Sequence, residues 1–185
     1  DLTQVVDQTI EYFQIRLPHL GGRVQLRREG DTSNPVVFNR DLLGWVLENL
    51  IKNGIDSLTD GKGTIVIRME DRVDGGARLL ISDTGRGVPA RLRNKIFDPG
   101  FTTKKRGWGM GLALVKRIIT HYHGGRIRVE STGPHGTTIG LYREGDDLIP
   151  IVGRHKEEQR TRVSGIEELQ ITPELSNRWL YAMAQ

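Results

Sequence analysis

The sequence predicts an α+β fold, a two-layer α/β sandwich in which a mixed β-sheet carries its helices on one face. Three observations predict it. Two long segments place apolar residues at helical spacing along one side only, so each helix has a single stripe to bury. Short runs between and after them alternate apolar and polar residues, the pattern of half-buried strands. Two pairs of those runs are joined by glycine-containing turns, which implies antiparallel neighbours in the sheet.

Taken in chain order, Leu2, Val5, Val6, Ile10, Phe13 and Leu17 mark a first helix, stopped by Pro18 and Gly21-Gly22. Val24-Gln25-Leu26 alternates like a short strand, and Val36-Val37-Phe38 reads as another. Asn39 is suited to cap a helix N-terminus, with Asp41 placed to favour the helix dipole in the first turn. From there Leu42, Leu43, Val46, Leu47, Leu50, Ile51, Ile55 and Leu58 predict a long amphipathic helix ending before Asp60-Gly61. Thr64–Met69 and Arg78–Ser82 read as strands joined by a hairpin turn at Asp74-Gly75-Gly76. Residues 84–108 are rich in Gly, Pro and Thr, with one short helix expected around Arg91–Lys95; a long irregular stretch in a compact domain is commonly a lid or binding loop. Helical spacing returns over Gly109–Tyr122 and stops at Gly124-Gly125. Arg126–Ser131 and Thr137–Arg143 form a last pair of strands around a Gly-Pro turn. From residue 146 charged residues take over, and 146–185 reads as an appendage. It closes in a helix over 173–184, with Thr172 as cap and Leu175, Trp179 and Met183 on one stripe.

The chain has 185 residues, a size for one domain plus that appendage, and a net charge of +4. It has no cysteine, which excludes disulfides, thiolate metal sites and cysteine nucleophiles. It has no apolar run long enough to span a bilayer and no signal-peptide pattern at Asp1-Leu2-Thr3-Gln4. The basic residues are scattered and not interleaved with aromatics, so no nucleic-acid partner is expected. No serine or cysteine nucleophile pairs with a histidine and an acid, and His121 and His123 have no neighbouring carboxylates to complete a metal site.

Four short motifs stand in fixed order: Asn49-Leu50-Ile51-Lys52-Asn53, then Asp83-Thr84-Gly85-Arg86-Gly87, then Phe97 to Lys104 through Thr102-Thr103, then Gly107-Trp108-Gly109-Met110-Gly111-Leu112. Asn49 and Asn53 lie four apart on the long helix and share a side; an amide oxygen is a suitable hard ligand for Mg²⁺. Lys52 and Glu48 point elsewhere and read as surface residues. Asp83 ends a strand, where a carboxylate can accept the exocyclic amine of adenine, and Gly85 and Gly87 let the backbone come close. Gly107, Gly109 and Gly111 lead into a helix, so their amides can cradle phosphates, and Lys104 can reach a terminal phosphate. Phe97 and Phe101 anchor this segment to the core. Each motif alone has a plainer reading: two amides on a wet helix face, an Asp-x-Gly turn, a glycine-rich loop. Their order argues for an ATP site of a kind without a Gly-x-x-x-x-Gly-Lys-Ser/Thr loop.

With these motifs, residues 36–143 resemble the catalytic and ATP-binding domain of bacterial sensor histidine kinases, in the Bergerat-fold superfamily with gyrase, Hsp90 and MutL. The resemblance implies a five-stranded mixed sheet under three helices, with ATP and Mg²⁺ between the long helix and a lid. It assigns Asn49, Asn53 and Lys104 to catalysis and Asn53 to the metal. It assigns Asn49, Asn53, Asp83, Gly85, Gly87, Thr102, Thr103, Lys104, Gly107, Gly109, Met110, Gly111, Leu112 and Thr137 to the nucleotide, with Thr137 supporting adenine through water. It makes residues 1–30 the connection from an upstream dimerisation region and 31–145 the catalytic domain.

Within that superfamily, hydrolysing members carry a water-activating Glu four residues before the magnesium Asn, where this chain has Asn49; transfer to a protein acceptor is therefore favoured over hydrolysis. The chain departs from the pattern at Asp56, where a basic residue is frequent, and at Trp108, where Thr or Ser is usual. No phosphoacceptor His motif is present, so the acceptor histidine is expected upstream. The reading is the ATP-binding catalytic domain of a two-component kinase. Its expected partners are a histidine-bearing dimerisation domain, a response regulator and a second copy in a full-length homodimer. The expected location is the cytoplasm, or the cytoplasmic side of a membrane-anchored protein. The alternatives are a nucleotide-binding module without kinase activity and a serine kinase or ATPase of the same superfamily.

Overall fold

The computed structural model describes residues 1–17, 23–73, 75–104 and 107–143. They build α1 (Leu2–Arg16), β1 (Arg23–Gly30), α2 (Arg40–Ser57), β2 (Lys62–Asp71), β3 (Ala77–Asp83), α3 (Gly111–Arg117), β4 (Arg126–Gly133) and β5 (Gly136–Arg143). The sheet has five strands in the order β1-β2-β3-β5-β4. Connectivity sets the directions. The path from β1 to β2 runs through α2, so these two pair in parallel, whereas short turns join β2 to β3 and β4 to β5, which pair antiparallel. β3 and β5 are antiparallel as well, which completes a mixed sheet of the expected class.

One face of the sheet, Leu26, Ile65, Ile67, Met69, Leu79, Ile81 and Leu141, packs against the helices in one core. α1 buries Leu2, Val5, Val6 and Ile10; α2 buries Leu43, Val46, Leu47, Leu50 and Ile51; Val115, Ile118 and Ile119 follow from α3. The opposite face carries charge. Glu29 pairs with Arg27 at 3.0 Å and with Arg68 at 2.6 Å, Glu70 with Arg78, and Glu130 with Arg128. Such wet pairs are screened by water and contribute little, against about 1.5–3 kcal/mol for each large apolar side chain buried, so the helix-covered face holds the sandwich together.

The predicted cap at Asn39 forms: its Oδ1 accepts the Leu42 N–H at 3.0 Å and starts α2. Asp1, not anticipated as a cap, accepts the Thr3 N–H on Oδ1 at 3.0 Å and starts α1. Three expectations are corrected. Val36–Phe38 is not a strand. The Asp71 carboxylate accepts from Thr32 Oγ1, from Ser33 N and Asn34 N at 3.0 Å, and from Ser33 Oγ at 2.7 Å, while Asn34 Nδ2 donates to Arg72 O and Gly76 O. The chain is thus tied as a loop to the β2–β3 hairpin, and Val36 and Phe38 pack on the core from there. The helix expected from Gly109 starts at Gly111 and ends in a wider turn over Ile118–Tyr122, closed by His123 N to Ile118 O at 3.1 Å. Around Arg91–Lys95 there are two 3-10 turns, Ala90–Leu92 and Lys95–Phe97, in place of a helix. The stretch read as a connection supplies α1 to the core and β1 to the sheet edge. Residues 146–185, with the expected helix over 173–184, lie outside the described residues.

Candidate functional site

The site gathers where the C-terminal half of α2 crosses the end of β3. Gly54 makes that crossing close: a Cβ there would meet Ile65 Cδ1 at 3.1 Å and Asp83 Cβ at 3.4 Å. Asp83 shares strand parity with Leu79 and Ile81, so its carboxylate points under α2 and not into solvent. Its Oδ1 accepts the Gly85 N–H at 2.9 Å and sits 3.0 Å from Ser57 Oγ. Burial pushes this carboxyl above the ordinary aspartate range, even though the Gly85 N–H, the Ser57 hydroxyl and the Thr137 N–H all favour its charged form. A desolvated carboxylate with one oxygen already fixed is an acceptor prepared for a further donor.

The glycines next to it are required by close approach. A Cβ on Gly85 would lie 1.8 Å from Ser57 Oγ, and one on Gly136 would lie 1.9 Å from Asp83 O, at a φ of +134°. Gly87, at φ +71°, leads into Val88, whose N–H donates to Thr132 Oγ1 at 2.7 Å. Thr137 is buried opposite Asp83 in the β3–β5 register, its hydroxyl 3.1 Å from Thr132 Oγ1.

On α2, Asn49 Nδ2 donates to Trp45 O at 2.9 Å. Its Oδ1 faces the start of α3, where a Cβ on Gly111 would stand 3.1 Å away. Asn53 Oδ1 accepts the Lys104 ammonium at 2.7 Å, across 51 positions of sequence. The same ammonium lies 2.6 Å from Asp56 Oδ2. Lys104 comes from a segment anchored by buried Ile96 and Phe97 and half-buried Phe101, and pinched where Gly100 N donates to Gly109 O at 3.1 Å. Thr102 Oγ1 accepts the Lys104 N–H at 3.1 Å. The structure therefore brings Asn49, Asn53, Lys104 and Gly111 together on α2, and Asp83, Gly85, Gly87 and Thr137 at the strand ends. Thr102, Thr103, Gly107 and Met110 are exposed on the connecting segment, with Gly109 and Leu112 half-buried, and none of their side chains bonds to Asn53 or Asp83. Trp108 projects into solvent at 85% exposure.

Sequence reasoning missed Ser57, although it continues the Asn49–Asn53 spacing of four along the same face. It also missed His123, read only as an unlikely metal ligand. That imidazole is buried, its Nε2 accepts the Asn39 N–H at 3.0 Å, and Nδ1–H donates to Ile118 O at 3.2 Å, which joins the start of α2 to the end of the α3 region. Glu48, read as a surface residue, is half-buried, and desolvation pushes its carboxyl upward. A cavity lined mainly by apolar residues, among them Leu2, Val36, Phe38, Leu43 and Leu141, with His123, Tyr142 and Arg143 also in its wall, lies at the opposite ends of β3 and β5 from Asp83 and Thr137.

The family model described as Histidine kinase-, DNA gyrase B-, and HSP90-like ATPase matches residues 38–143. The C4-dicarboxylate transport sensor protein DctB of Rhizobium meliloti is 42% identical over 104 residues, covering 56% of this chain and 16% of that protein. The signal transduction histidine-protein kinase AtoS of Escherichia coli is 37% identical over 141 residues, covering 76% of this chain and 22% of that protein. The chain thus spans about a fifth of the length of these curated relatives. Among solved structures, the nucleotide-free catalytic domain of the histidine kinase ThkA superposes with a TM-score of 0.67 at 28% identity, covering 78% of this chain and 92% of that one. ThkA in complex with the response regulator protein TrrA superposes with a TM-score of 0.64 at 27% identity, covering 78% and 40%. A mixed five-stranded sheet under three helices, motifs in order from Asn49 to Leu112 and a model matched across that whole span lead to one assignment: the chain belongs to the histidine kinase-, DNA gyrase B-, and HSP90-like ATPase family.

Proposed function

We propose that this chain is the ATP-binding catalytic domain of a two-component sensor histidine kinase, transferring the ATP γ-phosphate to a histidine on a separate dimerisation domain of the full-length homodimer. The observation that carries the reading is the meeting of Lys104 with Asn53, which closes a lid segment over the one face of α2 that bears two amides. Asp83 would receive the adenine amine on the oxygen not already held by Gly85 and Ser57, with Thr137 beside it. The loop amides from Gly107 to Gly111 would take phosphate oxygens, and Lys104 would turn from α2 to the terminal phosphate. Asn53 fits a magnesium site because its amide oxygen already accepts a cationic donor and Asp56 adds a second hard oxygen nearby. Magnesium bound there would neutralise charge between the outer phosphates. Asn49 cannot remove a proton from water, and Glu48, one residue earlier, lies about 100° round the helix from it, so hydrolysis is disfavoured relative to transfer. The named complex of ThkA with a response regulator supports a response regulator as the downstream partner. Among the described residues no helix is long and apolar enough to cross a membrane. The assignment to the cytoplasmic side follows from the proposed use of ATP and a response regulator.

The test mixes this chain with histidine-bearing helices of its own full-length protein and γ-labelled ATP. The expected product is an acid-labile, base-stable phosphate on the helices, absent with Asn53→Ala. ATP binding without transfer favours a nucleotide-binding module; rapid turnover by this chain alone favours an ATPase.

A further inference from the structure

Lys104 meets a carboxylate as well as an amide. Its ammonium lies 2.7 Å from Asn53 Oδ1 and 2.6 Å from Asp56 Oδ2. The two acceptors are three residues apart on α2 and so project from one side of it. The lysine's backbone is held for this reach by Thr102 and by the Gly100–Gly109 pinch. The side chains of the ion pair are 37% and 39% exposed, so the pair is screened by water and breakable.

The geometry points to Asp56 as a positioning residue that holds Lys104 on α2 in the nucleotide-free chain, with the lid released when phosphate groups take the lysine over. The inference rests on the nucleotide site proposed above. While Lys104 is held, its ammonium fills the space beside Asn53 Oδ1, the oxygen a divalent cation would need. Polyphosphate carries more charge than one carboxylate and competes well for the lysine. Once the lysine leaves, Asp56 faces incoming phosphates as an unpaired anion unless another cation stands between them. The pair therefore makes phosphate entry conditional on a cation at this point of α2. Read alone, Asp56 is a departure from a basic residue; read with Lys104, it is the other half of a contact.

The test is a double-mutant cycle on the full chain. Magnesium-free ADP affinity is measured by calorimetry for the wild type, Asp56→Asn, Lys104→Gln and the double variant; the terminal β-phosphate of ADP is the group that competes with Asp56 for Lys104. In parallel, the rate of Lys104 modification by an amine reagent is followed by peptide mass spectrometry without nucleotide. Asp56→Asn is expected to speed the modification and to tighten metal-free ADP binding about two- to fivefold, the range of an exposed ion pair. That gain is expected to be smaller in the Lys104→Gln background, where there is no held lysine to release and only the repulsion by Asp56 is relieved. An equal gain in both backgrounds reflects charge repulsion alone and overturns the proposal, as does unchanged modification of Lys104. If none of the four proteins binds ADP with or without magnesium, the nucleotide site itself is refuted, and the proposal with it.

Discussion

Replacing Asp83 by Asn should move stability and nucleotide affinity in opposite directions. The change keeps shape and removes charge. The Asn oxygen can take the place of Oδ1, accepting from Gly85 N and Ser57 Oγ as before. Burial raises the native carboxyl above its unfolded value, so the native state holds the proton more tightly than the unfolded chain. Stability from this group is therefore lost as pH rises from the ordinary aspartate range through the native value, and at neutral pH the ionised form costs stability. Asn carries no such cost, so the midpoint of thermal unfolding should hold or rise. Binding should suffer. With Oδ1 replaced by the amide oxygen, the second position becomes an NH₂ group, and a donor then faces the adenine amine. Losing a hydrogen bond to a charged acceptor costs about 1.5–3 kcal/mol, which is about a 10- to 150-fold rise in Kd. Calorimetry with ADP and a thermal melt on the same samples measure both. Unchanged affinity removes Asp83 from the adenine site. A melt several degrees lower makes the carboxylate a structural acceptor and refutes the sign argument.

Three further outcomes follow from the same geometry. Gly85→Ala puts a Cβ 1.8 Å from Ser57 Oγ and 2.7 Å from Ser57 O, so the urea midpoint should fall by the equivalent of about 1–3 kcal/mol; an unchanged midpoint contradicts the close packing of this turn on α2. Burial holds the His123 imidazole below its ordinary value, and protonating Nε2 would break its bond from Asn39, so stability should be steady above about pH 6.5 and fall below it as the unfolded state takes up protons; His123→Asn should flatten that slope in urea melts at pH 5.5 and 7.5, and an equal slope in the variant rules this origin out. Amide exchange at Gly100–Lys104 should slow when ATP and magnesium are added, since the lysine and its loop gain phosphate partners; identical exchange in both states argues against a lid.

Much of the architecture is legible because it is local. Asn39, Asp41 and the stripe from Leu43 to Ile51 specify α2 within one stretch of chain, and the spacing of Asn49 and Asn53 puts both on one face without further information. What was not legible depends on partners distant in sequence. Val36–Phe38 has a strand's composition, and only the grip of Asp71 on residues 32–34 makes it a loop. β1 runs eight residues where alternation showed three; its charged second half is tolerated because Arg28 meets Asp7 of α1 at 2.8 Å while Arg27 and Glu29 lie on the open face. Ser57 and Asp56 gain meaning only when Asp83 and Lys104 arrive beside them.

Asp83 shows why the candidate site stands out in the sequence more than some of the scaffold does. Folding alone gives little reason for a carboxylate beneath α2, where burial disfavours its charge and an amide could accept the same hydrogen bonds. Gly85 and Gly136 differ in that the packing itself requires them: any side chain there would strike a neighbour crowded against Asp83. Residues that a fold tolerates at a cost are the ones expected at a functional site. A scaffold residue such as Val36 has many acceptable substitutes and many acceptable conformations, so its neighbours in sequence constrain it weakly. A charge buried at a strand end and glycines packed around it have few other uses, and that is what makes their order along the chain informative.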